Sequence, residues 1–286
     1  NDTAVFAGTA GTVTLSTPIT AGGLTFNTTN YSITGSTLTL AGASSPIINV
    51  STGTSTISSN IAGTNGLEKT GGGTIILSGT NNTYSGTTTL TAGTLRGSDT
   101  TNSLTPVSPF GSSSLTLNAG TTLDLRAEGT PNNTVETITY GNNTTVAGDA
   151  TIHVQRFAGT SNNKIIALGT LSIGANTLTV TGATNYSLGF GATTLTGNAV
   201  FNANTGGLIL GLISESGGSY SLTKTGSQSL QITGNTSYTG ATTISAGNLQ
   251  LGNGGTTGSL PNTSSFSING TLIINRSNAF TQAADL

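Results

Sequence analysis

One histidine, His153, and a short run of charges are the only side chains in this sequence with an evident capacity for chemistry. Asp124, Arg126, Glu128, Glu136, Asp149, Arg156 and Lys164 place nearly half of all charged residues in one stretch around it. Carboxylates on one outer face, or a Ca²⁺-bridged base, are what a polysaccharide-cleaving groove requires, so the stretch is a candidate glycan-active site. A structural account competes with it. Asp124 and Arg126 alternate with Leu123 and Leu125, so both face outward two residues apart, the geometry of a surface ion pair that contributes little. His153, between Ile152 and Val154, also faces outward. With no second His, no Cys and no Asp-x-Asp or Gly-Gly-x-Gly-x-Asp run, a metal site is not expected. Gly71-Gly-Gly73 is followed by neither Gly-Lys-Ser/Thr nor a helix, so it is a turn and not a phosphate loop. The expectation is a non-enzyme, with no catalytic residue, no cofactor and no metal.

The rest of the inventory points the same way. Nine acidic and seven basic residues in 286 give a net charge of −2, too sparse for nucleic-acid binding by bulk electrostatics. No run approaches the ~18 apolar residues of a membrane helix, so no membrane insertion of this segment is expected. Asn1 opens no basic-then-apolar leader, which reads as a mature fragment already separated from an export signal. Absence of Cys suits an exported bacterial protein that stays unfolded in transit.

Apolar residues recur at every second position, as in Val13 and Leu15, Leu24 and Phe26, Leu38 and Leu40, Ile75 and Leu77, Leu178 and Val180, and Leu230 and Ile232. Such alternation marks short strands with one buried face, here separated by Gly, Asn and Thr punctuation. No segment of ten or more residues shows a helical period, so the chain reads as all-β throughout.

It also repeats itself. Leu67-Glu-Lys-Thr-Gly71, a strand ending Leu77-Ser-Gly79, then Tyr84-Ser-Gly86-Thr-Thr-Thr-Leu90-Thr-Ala92-Gly93-Thr-Leu95 recurs as Leu222-Thr-Lys-Thr-Gly226, Ile232-Thr-Gly234 and Tyr238-Thr-Gly240-Ala-Thr-Thr-Ile244-Ser-Ala246-Gly247-Asn-Leu249. Flanks match too: Phe6 with Phe157, Leu24 with Leu178, Asn30-Tyr31 with Asn185-Tyr186, and Leu115 with Phe266. Two tandem copies, 1–150 and 151–286, in one continuous solenoid are expected. Few aromatics and many Leu, Ile and Val suit a narrow core in which like side chains stack from coil to coil. A parallel β-helix of about a dozen coils, some 60 Å long at ~4.8 Å per coil, fits better than two sandwiches.

These signatures resemble the autotransporter-associated β-strand repeat, or passenger-associated transport repeat. The residues that carry the resemblance are Leu67, Lys69, Gly71, Gly79, Tyr84, Gly86, Ala92, Gly93 and Leu95, and Leu222, Lys224, Gly226, Gly234, Tyr238, Gly240, Ala246, Gly247 and Leu249. The resemblance implies a right-handed parallel β-helix, secreted or held at a bacterial cell surface, and supplies no catalytic residues. Ser227-Gln228-Ser229 departs from the pattern where Gly is usual, which puts the turn there in question. The repeated Lys69 and Lys224 suit a positional role, bonding carbonyls at a corner or blunting lateral sheet pairing, and the repeated Tyr84 and Tyr238 suit rings that cover a coil edge.

The function expected from all this is a structural or adhesive extracellular surface protein, with a host or environmental surface or glycan as partner. The alternative is a glycan-binding or polysaccharide-cleaving β-helix, decided by whether the charged stretch converges in a cleft. Asn1 to Phe6 begins with strand-like residues and Ala279-Phe280 stays apolar, so both ends are expected to stack on further repeats or on another copy, end to end, as a filament.

Overall fold

The computed structural model describes residues 2–99, 108–160, 162–183, 185–261 and 265–279. Every regular element among them is a strand, and every pairing of named strands is parallel. The chain winds as a β-solenoid of about eleven turns. Short strands two to six residues long are what the alternating sequence dictates, because the Gly and Asn corners recur before a longer strand can form.

Each turn visits three faces. Ten strands, from Thr3–Phe6 to Ile213–Glu215, form the first face, and twelve, from Thr12–Leu15 to Phe266–Ile268, form the second. The third is discontinuous: three strands from Ile19–Ala21 to Ile61–Ala62, and then seven from Glu136–Thr139 to Thr271–Ile274. No break in pairing falls at residue 150, since Ala150–Gln155 pairs with Thr122–Arg126 on one side and Thr177–Gly182 on the other.

Inward residues stack in ladders. On the first face Leu24, Ile48, Lys69, Leu90, Leu117, Val146, Ile173 and Leu195 succeed one another in register, and all are buried. Each buried aliphatic rung contributes about 1.5–3 kcal/mol. A lysine sits inside this ladder, and Lys224 does the same on the second face between Phe201 and Ile244.

The two copies of the repeat do not occupy the same faces. In the first, Leu67–Thr70 lies on the first face and Thr74–Leu77 on the second. Their counterparts Leu222–Thr225 and Ser229–Ile232 lie on the second and third. Six turns and one further face separate the copies, so the second is rotated about the axis by one side of the prism. The flanking matches obey the same shift: Gly23–Phe26 is on the first face and Thr177–Gly182 on the second. Asn30 and Asn185 both turn the following corner, with φ of 67° and 61°.

Candidate functional site

The repeat signature builds a corner that clamps two turns. Lys69 donates from Nζ to the carbonyls of Thr70 at 2.7 Å and Gly71 at 2.8 Å on its own turn, and to Ala92 at 3.2 Å on the next. Lys224 makes the same three bonds, to Thr225, Gly226 and Ala246, at 2.6, 2.9 and 3.2 Å. Both side chains are fully buried. Each ammonium therefore has three carbonyl acceptors for its three protons, the arrangement that makes a buried amine tolerable. Burial nonetheless pulls both amines down to about 8.

Gly71 and Gly226 turn the corner at φ of 74° and 77°, and a Cβ at either would collide with a carbonyl oxygen of the preceding turn, that of Val50 or Ala203. The departure at Ser227-Gln228-Ser229 leaves this turn intact. Gly73 and Gln228 donate equivalent backbone bonds at 2.9 Å, to Val50 and Ala203. A Cβ at Gly73 would lie 2.7 Å from Val50 Cγ1 and 2.8 Å from the Gly53 carbonyl oxygen and the Thr52 carbonyl carbon; the smaller Ala203 at the equivalent place removes the first of these contacts.

Tyr84 and Tyr238 correct an expectation. Neither ring covers an edge, since both are buried in the interior. After the second strand of each repeat the chain crosses the next face without a named strand, leaving isolated bridges such as Asn81 with Ser108 and Asn235 with Ser259. The tyrosine fills the core beneath that stretch, where inward strand residues are missing. Its hydroxyl is bonded to the threonine four residues on, Thr88 or Thr242. Burial pushes the Tyr84 phenol up to about 12 and that of Tyr238 higher still. The remaining signature residues complete the frame: Leu67, Leu95, Leu222 and Leu249 point inward with no exposure, and Gly79, Gly86, Gly93, Gly234, Gly240 and Gly247 pass close to the backbone or side chains of adjacent turns.

The charged stretch is also distributed over architectural tasks. Asp124 is buried, contrary to its expected outward exposure as half of a simple surface pair. The reason is its cross-strand neighbour Arg96, whose Nε donates to Oδ2 at 2.7 Å, while Arg126 Nε donates to Oδ1 at 2.7 Å, so two guanidiniums cover one carboxylate. Glu128 Oε2 accepts the amides of Ala158 and Gly159 at 3.2 and 2.8 Å. Asp149 Oδ1 accepts the amide of Thr177 at 2.7 Å. Glu136 pairs with Lys164 at 2.8 Å on the third face, and that bond holds its carboxyl down at about 2. His153 is half-buried, in contact with Thr181 and Gln155 at 2.9 Å each. Among the described residues no group of three His, Asp or Glu could hold a metal ion.

One cleft of about 250 Å³ opens on the outer wall of the second face, lined by Thr56, Ile76, Ser78, Arg96, Ser98, Arg126 and Phe157. No carboxylate lines it. Asp124 holds both guanidiniums by their Nε edges and fixes them in place, while Phe157 stands 43% exposed at the rim. Its counterpart Phe6 is instead stacked on Phe26 at 4.6 Å, so the equivalence in sequence does not extend to environment. Arg96 is outside the charged stretch, and the only signal for it is its outward position one turn below Asp124, which requires the coil register.

The fold and the corner motif define a class, the parallel β-solenoids built on short sequence repeats. More particularly, residues 67–96 and 222–251 match the family model of the passenger-associated-transport-repeat, so the chain carries two such repeats. Over 94 residues it is 57% identical to a Brucella suis biovar 1 (strain 1330) adhesin, the BmaC autotransporter. That match spans 33% of this chain and only 3% of the adhesin. No solved structure matches. No helix among the described residues is long and apolar enough to cross a membrane.

Proposed function

We propose that this chain is a non-enzymatic structural and adhesive segment of an exported bacterial protein, acting outside the cell or at its surface. The observation that carries this reading is the employment of the charged residues. The carboxylates of the stretch from Asp124 to Lys164 are spent on ion pairs and backbone amides. A cleft beside Asp124 is lined by Arg96, Arg126 and Phe157, and another of about 260 Å³ holds Asp149 as its single carboxylate. Hydrolysis of a glycosidic bond needs two carboxyl groups facing each other across the scissile bond. An arrangement of fixed cations and an exposed ring suits holding a surface ligand instead. The similarity to an adhesin over a third of the chain supports the same reading. End-to-end association is part of the proposal. Ile19 on the first turn, and Ile268 and Ile274 on the last described strands, are exposed apolar residues in line with the inward ladders, which another turn would cover.

Adhesion is tested by binding of the purified chain to host-cell and glycan surfaces, compared with the Phe157→Ala variant. Loss of binding with unchanged folding supports contact at the cleft. Release of reducing sugar from a bound polysaccharide would contradict the non-enzymatic reading. Concentration-dependent light scattering tests association, and a rod that stays monomeric at high concentration would contradict stacking.

A further inference from the structure

Three lysines are fully buried among the described residues, and one is held differently. Lys69 and Lys224 meet main-chain carbonyls only. Lys164 Nζ instead lies 2.7 Å from Asn132 Oδ1, 2.8 Å from Glu136 Oε2 and 3.0 Å from the Thr134 carbonyl. Asn132 Nδ2 donates in turn to the other oxygen of the same carboxylate, Glu136 Oε1, at 3.3 Å. Amine, carboxamide and carboxylate thus close a triangle.

The difference is chemical. An amine that attacks a main-chain carbonyl cuts the chain, whereas a side-chain carboxamide has ammonia as its leaving group and loses nothing else. Lys164 has no exposure, so water does not compete for the carboxamide from the amine side, and the groups are already within hydrogen-bond reach. We propose that Lys164 and Asn132 are joined by an intramolecular isopeptide bond, with Glu136 as the proton carrier. Glu136 takes one proton from the Lys164 ammonium, and the freed Nζ lone pair attacks Asn132 Cγ. The Nζ–Cγ bond forms and the Cγ–Nδ2 bond breaks. One of the three ammonium protons stays on the new amide nitrogen, and the other two leave with the Nδ2 amino group as ammonium, one of them by way of Glu136, which ends ionised as it began. Nothing is oxidised or reduced.

The position gives the bond a use. Glu136–Thr139 is the edge strand of the seven-stranded sheet, paired within it only to Lys164–Ala167, with Glu136 opposite Lys164. An amide from Asn132 to Lys164 ties that edge to the next turn, at the place where the third face regains its sheet. The bond opposes separation of that edge strand from the next turn.

Intact-mass measurement of the purified, denatured chain decides the matter, because loss of ammonia lowers the mass by about 17 Da. The expected result is that deficit, together with a proteolytic fragment in which the peptides holding residues 132 and 164 are joined. Asn132→Ala and Lys164→Ala are expected at their full sequence masses. Glu136→Gln, which preserves shape and removes the base, is expected to fold and to remain unlinked. A wild-type chain at full sequence mass overturns the proposal, as does a deficit without a joined peptide, the mark of Asn closing on its own backbone. A linked Glu136→Gln chain overturns the role given to Glu136.

Discussion

The two copies of the repeat make the same bonds on different faces of the solenoid. Lys69 and Lys224 each hold three carbonyls, and Tyr84 and Tyr238 each fill the core under a stretch without a named strand. Yet the first copy runs from first face to second, and the other from second to third. The repeat therefore specifies a corner and the two strands beside it, and carries no information about which face it stands on. A parallel solenoid permits this because each face presents the same ladder of backbone donors and acceptors to the next turn. A consequence for stacking is that a further copy with the same spacing would be turned by one more face.

The largest effects should come from the interior, and they should match between copies. Leu77 and Ile232 are equivalent and unexposed, so Leu77→Asp and Ile232→Asp should each cost several kcal/mol in denaturant unfolding, because a buried carboxylate finds no partner. Outward Thr89→Asp should cost less than about 1 kcal/mol. Equal small effects at all three would break the assignment of faces.

Next come the corners. Gly71→Ala and Gly226→Ala should each cost about 2–3 kcal/mol through left-handed strain and collision with the preceding turn. Gly73→Gln should destabilise by a similar amount, while Gln228→Gly costs under about 1 kcal/mol. Val50→Ala added to Gly73→Gln should recover part of the loss, since it reproduces the pairing of Ala203 with Gln228. Absence of any recovery would show that the copies differ in more than that methyl.

The lysine clamps give a smaller, pH-dependent signature. Lys69→Met and Lys224→Met remove three buried Nζ–H donors from each corner and should cost about 1–3 kcal/mol each, alike in both copies. With the folded amines at about 8 and the unfolded ones near 10.5, the unfolded chain holds more protons between those values, so stability should rise with pH there. Above about pH 10 the sign reverses, because folded Tyr84 and Tyr238 keep protons that the unfolded phenols release. Urea midpoints followed from pH 7 to 11 should pass through a maximum, and the double lysine variant should lose the rising limb.

Much of this was legible in the sequence, for a physical reason. Alternation at Leu24 and Phe26 or Leu230 and Ile232 reports a buried face directly, and the recurrence of Lys69 and Tyr84 at Lys224 and Tyr238 reports a shared local structure. What stayed hidden depends on the number of residues per turn, which varies with loop length. Without it Arg96 cannot be placed beside Asp124, nor Asn132 beside Lys164, and a repeat offset of 155 residues cannot be resolved into six turns and a third. Asp124 faces outward and pairs with Arg126 as the strand pattern reads, and what stayed hidden is its burial, because Arg96 of the neighbouring turn covers it as well.

Disulfide trapping tests the rotation of the second copy most directly, and the chain has no cysteine of its own to interfere. Thr223 lies opposite Val200 on the second face, whereas a second copy placed like the first would set it against Ser214 on the first face. Neighbouring residues of paired strands fall within the ~4.4–6.8 Å Cα separation that a disulfide spans. The account predicts rapid, near-complete bridging on mild oxidation of the Val200→Cys/Thr223→Cys protein and none for Ser214→Cys/Thr223→Cys. The reverse pattern would contradict it.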